Sequence, residues 1–358
     1  MSRILKRMHL AAVVCALALC TPCVFAKPTV QVNSIPALRD AIEAAPATGA
    51  IIVLAPGDYH QVRQIVIRDR DHLTITGATT DFHDTVISGP GINDHRVRSN
   101  IVVDHSKDVT LRNMTLENSA YHGVQIDYDS DHFTANNLKT WDNGESGFKV
   151  TSPSHAHGDD SYSDYGTIEN CLIGFTSTGQ RGVVEGIDIV GAVAWDIRNN
   201  RLEHIRKANG RAAYAIFAKG NSQDVVIENN VVRNSSVGLS FGGGGTGAKF
   251  FRNGDTRYET RRGVIRNNLV YGTDDVGIYL NKARDFEVYG NIVIDTGKDT
   301  GSITARYPES RGHIRDNRVS ARILLRDGAH AQVYRNIFVP GGLPVSGHGW
   351  RGFDTSSR

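Results

Sequence analysis

A short pattern, in which two apolar residues are separated by one other residue, recurs along this chain of 358 residues. Lysine, aspartate, tyrosine and arginine occupy fixed positions in and directly after it. In a strand, the residue between two inward apolar side chains points outward, and so does the residue after the second one. The first outward column predicted by this rule holds Gln125, Lys149, Asp188, Phe217, Ser240, Tyr279 and Thr304. The second holds Asp127, Thr151, Val190, Lys219, Gly242, Asn281 and Arg306, and Arg326 continues it. We expect chemistry to take place on this face.

Lys219 ends the apolar phrase that begins at Ala215, and Gly220 follows it at once. A lysine can act as a general base when burial or its neighbours depress its pKa. The phenol of a tyrosine such as Tyr258 or Tyr214 can act as an acid. Lys219 and these two tyrosines are therefore candidates for proton transfer.

Other polar residues on this face are candidates for binding a ligand. The columns supply four of them, Lys149, Asp188, Tyr279 and Arg306. A long segment after Gly242 adds Arg257 next to Tyr258. A tyrosine beside arginines combines an acid with a clamp for a carboxylate.

A second repeated phrase indicates the elements that carry these side chains. In it, an apolar residue precedes an asparagine and another follows two places later. Six clear copies have the asparagine at Asn200, Asn230, Asn268, Asn291, Asn317 and Asn336, and looser copies have it at Asn113, Asn137 and Asn170. The steps between them run from 19 to 38 residues, which indicates a solenoid whose loops absorb the differences.

Each repeat also contains at least two short strands of alternating apolar residues. Stacked coils bury these residues on one another and pair their backbones. We expect the asparagine to lie at a turn in left-handed conformation, with its amide bonded to the copies above and below. The sequence therefore predicts an all-β parallel β-helix.

Residues 35–340 resemble the right-handed parallel β-helix, or pectin-lyase-like, superfamily. Residues 38–45 are similar to its capping helix, and residues 51–59, which end in Pro-Gly-Asp-Tyr, are similar to its first strand and turn. This resemblance implies a right-handed solenoid with a short N-terminal capping helix and a polysaccharide groove along the coils, in which Lys149, Asp188, Tyr279 and Arg306 would be subsite contacts. At about 4.8 Å per coil, Arg306 would lie roughly 14 Å from Lys219 and serve a neighbouring subsite.

The surroundings of Lys219 are similar to those of the catalytic lysine of chondroitinase-B-like and alginate lyases, which also ends a strand before a Gly/Asn turn. This resemblance implies a lyase that cleaves a uronic-acid-containing glycan by β-elimination, so an acidic polysaccharide is the expected partner. Elimination requires a cation or donor beside the carboxylate, a base for the C5 proton and an acid for the leaving oxygen. The resemblance thus implies Lys219 as the general base, and Tyr258 or Tyr214 is expected to be the acid. Those relatives hold calcium with an acidic pair before the lysine, where this chain has Tyr214 and Ile216. We therefore expect no cofactor, because these residues do not support calcium binding.

Other classes of function stay open on the same fold. A glycan C5-epimerase or a glycoside hydrolase is one alternative, although hydrolysis needs two facing carboxylates and the columns offer only Asp127 and Asp188, more than one coil apart. A non-catalytic carbohydrate-binding or surface protein is another. A further segment has the residue types of a metal site but lacks the helical spacing of a zinc motif, so no metal is assigned to His155, His157, Asp159 and Asp160.

The N-terminus has the basic, apolar and small-residue regions of a secretory signal. We predict a signal peptide at residues 1–26, a β-helix domain at 27–345 and a C-terminal tail at 346–358, in a secreted or periplasmic protein. Cleavage leaves Cys171 as the only cysteine, so no intrachain disulfide can form. It also leaves basic and acidic side chains nearly balanced, which gives no reason to expect nucleic acid or membrane insertion. We expect a monomer.

Overall fold

The computed structural model describes residues 26–153, 161–177, 184–207, 213–243, 245–297 and 299–339. The predicted tail and all but the last residue of the predicted signal peptide lie outside the described residues. The same holds for His155, His157, Asp159 and Asp160. In the described ranges, no helix is long and apolar enough to cross a membrane.

As predicted, one short α-helix, Ile35–Glu43, precedes the coils. Ser34 caps it, because the Ser34 Oγ accepts a hydrogen bond from the Ala37 amide at 3.2 Å. The side chains of Leu38 and Ile42 share one face of the helix and are buried in the core. The helix therefore packs its apolar face against the first strands of the solenoid.

Ten parallel strands stack into one sheet, which we call the groove sheet. In chain order they are Ile65–Arg68, Ser99–Asp104, His122–Ile126, Ser146–Val150, Val184–Val190, Ala213–Lys219, Val237–Phe241, Ile278–Asn281, Ile303–Arg306 and Ile323–Arg326. Each strand lies between its predecessor and its successor in the chain. One coil therefore follows another along the sheet without crossing.

The other strands form a sheet of 23 strands that makes the remaining walls of each coil. They are Thr29–Val32, Ile51–Leu54, Gly57–His60, Thr74–Gly77, Thr85–Ser88, Thr110–Glu117, Thr134–Trp141, Thr167–Glu169, Leu172–Gly174, Asp196–Arg198, Arg201–Glu203, Ser222–Gln223, Val226–Glu228, Val231–Arg233, Thr260–Arg261, Val264–Arg266, Leu269–Tyr271, Ala283–Tyr289, Ile292–Ile294, Arg311–Arg315, Arg318–Val319, Gln332–Tyr334 and Ile337–Phe338. Two short 3-10 helices, Ala248–Phe250 and Arg252–Gly254, lie between strands.

The core consists of apolar side chains stacked at the same position of successive coils. One such stack is 0% exposed throughout and runs through Ile168, Ile197, Ile227, Ile265, Val288 and Ile314. Full burial of an aliphatic side chain stabilises the fold by about 1.5–3 kcal/mol. Cys171 is also buried, and burial raises the pKa of its thiol to about 12. It is therefore a small core residue.

A ladder of asparagine side chains runs parallel to these stacks. The Asn200 Nδ2 donates to the Asn230 Oδ1 at 3.0 Å, and the Asn230 Nδ2 donates to the Asn268 Oδ1 at 3.0 Å. The same bond continues along the stack through Asn291, Asn317 and Asn336. The predicted amide bonds between copies are confirmed.

The left-handed backbone lies one residue before the ladder, at Asn199 and Asn229. Asn170 also has a positive φ, and its amide bonds to the Arg198 carbonyl, which aligns it with Asn199 and not with Asn200. The expectation that one asparagine fills both roles is confirmed for Asn113 and Asn137, which have positive φ and share a side-chain bond of 2.8 Å, but it was wrong for the ladder that begins at Asn200. The turn residue takes up the unusual backbone conformation, while the buried residue after it makes the side-chain bonds.

Candidate functional site

The structure confirms the register of both predicted columns. In the first, neighbouring strands pair Gln125, Lys149, Asp188, Phe217, Ser240, Tyr279 and Thr304 in turn. In the second, they pair Val190 with Lys219, Asn281 with Arg306, and Arg306 with Arg326. Some of these side chains point away from the core and are still buried: Asp188 is 0% and Phe217 is 1% exposed. The columns therefore form a partly enclosed site.

Lys219 lies beside two carboxylates of the preceding coil. Its Nζ is 3.2 Å from the Asp188 Oδ2 and 3.9 Å from the Glu185 Oε1. The same atom lies 4.3 Å from the centre of the Phe217 ring, which adds a cation–π contact. The Lys219 side chain is 13% exposed. The amine is thus held in place by its neighbours while part of the side chain still faces solvent.

Asp188 joins two lysines, because it also forms a short ion pair with the Lys149 Nζ. Burial opposes the ionisation of Asp188, but the charges of Lys149 and Lys219 lower the pKa of this carboxyl. Burial likewise opposes the charge of Lys149, while Asp188 and then Glu185 raise the Lys149 pKa above its ordinary value. The sequence predicts a direct substrate contact for Asp188. Its complete burial makes it, instead, the residue that positions both lysines.

Glu185 lies on another side of Lys219, with 3% of its side chain exposed. The Ser146 Oγ donates to the Glu185 Oε2 at 3.0 Å. Burial and then the charge of Asp188 raise the pKa of Glu185, against the opposing effect of Lys219. Glu185 therefore takes up a proton more readily than a surface glutamate does. On the far side of Ser146, burial lowers the pKa of the His122 imidazole to about 3, so His122 is neutral at pH 7.

Tyr214 begins the strand that Lys219 ends, and Phe217 lies between them. The Tyr214 and Phe217 rings stack with their centroids 4.1 Å apart. Burial raises the pKa of the Tyr214 phenol to about 12, so the hydroxyl keeps its proton at neutral pH. A Cβ at Gly243 would lie 2.8 Å from this hydroxyl and 2.9 Å from the Phe217 ring. Only glycine leaves room for both rings at this point.

Residues 245–259, which we call the wall segment, lie beside Lys219. The Glu259 Oε2 accepts a hydrogen bond from the Gly220 amide at 2.9 Å, directly after Lys219. Arg252 anchors the segment to an earlier coil, because its guanidinium donates to both oxygens of Asp164 at 2.8 Å. The wall is therefore fixed at two points.

The other predicted acid, Tyr258, lies among arginines. Its ring centre is 5.5 Å from the guanidinium carbons of both Arg257 and Arg261. Arg257 itself is exposed and pairs with Asp255 at 2.8 Å. Among the residues described, no hydrogen bond, ion pair or ring contact joins Tyr258 to Lys219. Tyr258 and Arg257 thus form a cluster of their own.

Tyr279 and Arg306 form a second polar cluster along the groove sheet, with Arg306 three strands beyond Lys219 as predicted. The Arg306 Nη1 donates to the Tyr279 hydroxyl at 3.4 Å, and the Asn281 Nδ2 does so at 3.1 Å. These residues line a cleft of about 760 Å³ together with Lys282 and others. The cleft extends the site toward the C-terminal coils.

The sequence analysis missed Glu185, His122 and Ser146, which form a third column in register with Tyr214. In strand alternation Glu185 shares the parity of the core residue Ile187, so the period-two rule assigns its side chain to the interior. A glutamate at a position that the alternation assigns to the core is unusual, and this could have marked Glu185 as a functional residue. The structure brings together Lys149, Asp188, Lys219 and Tyr214, which the sequence predicted, with Glu185, which it did not.

The described part of the chain contains no group of three His, Cys, Asp or Glu side chains that could hold a metal ion. Glu185 and Asp188 come closest to the acidic pair of a calcium site. The ammonium groups of Lys149 and Lys219 already occupy the positions facing these two carboxylates. The residues therefore do not fit a calcium ion.

Three comparisons place this architecture among known proteins. Among solved structures, an alginate lyase from Paenibacillus sp. str. FPU-7 has a TM-score of 0.60 and 19% identity, with 85% of this chain and 99% of that chain covered. The A-module of a mannuronan C-5 epimerase from Azotobacter vinelandii has a TM-score of 0.59 and 15% identity, with 84% and 90% covered. Pectate lyase Pel9A has a TM-score of 0.57 and 14% identity, with 87% and 79% covered. These similarities show a shared fold.

No curated protein sequence matches the chain. The family described as the right-handed beta helix region, however, matches residues 99–254 and 185–338. The matched residues cover more than half of the chain, so the protein belongs to the right-handed parallel β-helix family.

Proposed function

We propose that the protein binds an acidic polysaccharide along the groove sheet and cleaves it by β-elimination at a uronic acid. One observation carries this proposal: a partly exposed amine and a protonated phenol stand at opposite ends of the strand Ala213–Lys219, and the Phe217 ring contacts both. They match the base and the acid that elimination requires. The alginate and pectate lyases that share the fold support this substrate class.

In the proposed reaction, the ammonium of Lys149 offsets the carboxylate of the bound sugar. Lys219 removes the C5 proton, the electron pair of that bond forms the C4–C5 double bond, and Tyr214 gives its proton to the leaving oxygen. Before this step the Lys219 ammonium must lose a proton. Glu185 lies 3.9 Å from the Lys219 Nζ, and its raised pKa favours Glu185 as the acceptor of that proton. Tyr214 is preferred to Tyr258 because it packs next to Lys219 through Phe217.

Glycoside hydrolysis has less support from the geometry. A hydrolase needs two carboxyl groups that reach the glycosidic bond from opposite sides. The carboxyl groups beside Lys219 belong to Asp188 and Glu185, which are 0% and 2% exposed and both contact lysine. Neither is open to a sugar. For the same acidic substrate we propose a secreted or periplasmic location, in keeping with the signal-like N-terminus.

The test is to incubate the purified protein with alginate, polygalacturonate and chondroitin, and to analyse the products by mass spectrometry and proton NMR. Elimination predicts shorter chains that carry an unsaturated uronate at the new non-reducing end. Shorter chains without the double bond would show hydrolysis, and full-length chains with inverted C5 would show epimerisation. Either result, or binding without any product, would contradict the proposal.

A further inference from the structure

A cluster of aromatic and basic side chains outside the catalytic residues lies at the N-terminal side of the groove sheet. The Arg98 guanidinium carbon is 5.3 Å from the centre of the Tyr121 ring. The Tyr121 hydroxyl lies 3.3 Å from the His95 Nδ1, and the two rings meet edge to face at 5.5 Å. Arg98 and His95 are exposed. A ring that can stack on a sugar thus lies next to a guanidinium that can pair with an anion.

The charge of Arg98 is unbalanced locally. Arg96, two residues earlier, forms an ion pair with Asp94. Within the ranges that the structure describes, Arg98 has no carboxylate at ion-pair distance, and its guanidinium lies over the Tyr121 ring. By contrast, Lys149, Lys219 and Arg306 in the groove are all paired with carboxylates. Arg98 is therefore a cation whose partner can come from a ligand.

The cluster lies at the N-terminal ends of neighbouring strands of the groove sheet. The amides of Tyr121 and His122 both bond to the Arg98 carbonyl, and His122 begins a strand of the groove sheet. That strand lies three strands before the one that ends at Lys219, and Arg306 lies three strands after it. At about 4.8 Å per strand, each separation across the sheet is roughly 14 Å. The strand register aligns His122 with Tyr214, so the cluster lies on the Tyr214 side of the sheet, whereas Lys219 and Arg306 end their strands. The cluster and Arg306 therefore lie on opposite sides of the strand that carries Tyr214 and Lys219.

We propose that Arg98 and Tyr121 form a distal subsite for a carboxylate-bearing sugar of the same polysaccharide. This inference rests on the proposed function. With sugars held on both sides of Lys219, the scissile bond lies inside the bound chain. The enzyme would then cut long chains internally and lose efficiency with substrates too short to reach Arg98.

The test compares Arg98→Ala with Arg96→Ala, a neighbouring arginine that is already paired. Each variant and the wild type are assayed on alginate, polygalacturonate and chondroitin oligomers from trimer to decamer, after circular dichroism confirms the fold. We expect Arg98→Ala to lower kcat/KM on the longest oligomers by roughly fivefold, the size expected for loss of an exposed ion pair, with no change on trimers. Tyr121→Ala should show the same length dependence.

Equal losses on short and long oligomers, or no loss in Arg98→Ala beyond that in Arg96→Ala, would overturn the distal subsite and leave the proposed elimination standing. A wild-type protein that cleaves none of these oligomers, but binds them more weakly after Arg98→Ala than after Arg96→Ala, would retain the subsite and reject the lyase. A wild-type protein that neither cleaves nor binds them would reject both.

Discussion

The Nζ of Lys219 lies 3.2 Å from the Oδ2 of Asp188, and this same carboxylate oxygen pairs with Lys149 of the coil on the other side. One buried anion therefore holds two ammonium groups that would otherwise repel each other. The carboxylate that fixes the position of Lys219 is therefore a buried one. It also makes the site depend on a single negative charge.

Replacing Asp188 with asparagine keeps the shape of the side chain and removes that charge. We expect the free energy of unfolding to fall by about 3–5 kcal/mol, because buried charges lose their partner. Urea denaturation measures this change. Asp224→Asn is the matched control, since Asp224 pairs with Arg262 at the surface and should cost about 0–1 kcal/mol. Similar losses in the two variants would contradict the role given to Asp188.

Replacing Tyr214 with phenylalanine keeps the ring stack on Phe217 and removes the proton donor. We expect kcat to fall by about 10²–10⁴-fold, the usual contribution of general acid catalysis, with little change in stability. Tyr165→Phe is the control, because Tyr165 is 53% exposed and outside the site. A loss of kcat in Tyr258→Phe but not in Tyr214→Phe would show that Tyr258, and not Tyr214, is the general acid.

The raised pKa of Glu185 predicts a specific dependence of stability on pH. Burial and Asp188 raise this pKa in the folded protein, so the native state keeps a proton that the unfolded chain has already lost. The free energy of unfolding must therefore fall as the pH rises from the unfolded pKa toward the folded one. Glu185→Gln should remove this decline in urea denaturation from mildly acidic to mildly alkaline pH. Parallel profiles for the two proteins would show that Glu185 has no raised pKa.

The asparagine ladder should contribute to stability most strongly in its middle. Asn268→Ala leaves the Ile227 carbonyl and the Asn230 amide without their buried partners. Unsatisfied buried groups cost about 1–3 kcal/mol each, so we expect a substantial fall in the unfolding free energy. Asn336→Ala, at the last rung, should cost less, because water can replace the lost bonds. The ladder would have no such role if the two variants unfolded at the same urea concentration.

Much of the solenoid was predictable because its physics is local and repeated. The alternation around Lys149 and Lys219 predicts which residues point outward, and the repeated asparagines predict the ladder. The sequence analysis placed the left-handed turn one residue too late in these coils, because adjacent asparagines such as Asn199 and Asn200 satisfy the same pattern. The structure separates the two roles through burial, which the pattern does not contain.

The rest of the site depends on contacts without a repeat. Glu185 has core parity, yet it lies beside Lys219. The wall segment is anchored by Arg252 to Asp164, 88 residues earlier in the chain, and no spacing rule connects them. The burial of Asp188 likewise follows from packing between coils. Such contacts can be identified only in the three-dimensional structure.

Ultraviolet absorbance of unsaturated uronates tests the central claim most directly. The trace is followed while wild-type protein, Lys219→Ala and Lys107→Ala are each incubated with alginate, polygalacturonate and chondroitin. Lys107→Ala is the control, because Lys107 pairs with Asp129 at the surface. We predict a rise with at least one glycan for the wild type and Lys107→Ala, and none for Lys219→Ala. A flat wild-type trace on every glycan, or an equal rise for Lys219→Ala, would contradict elimination by Lys219.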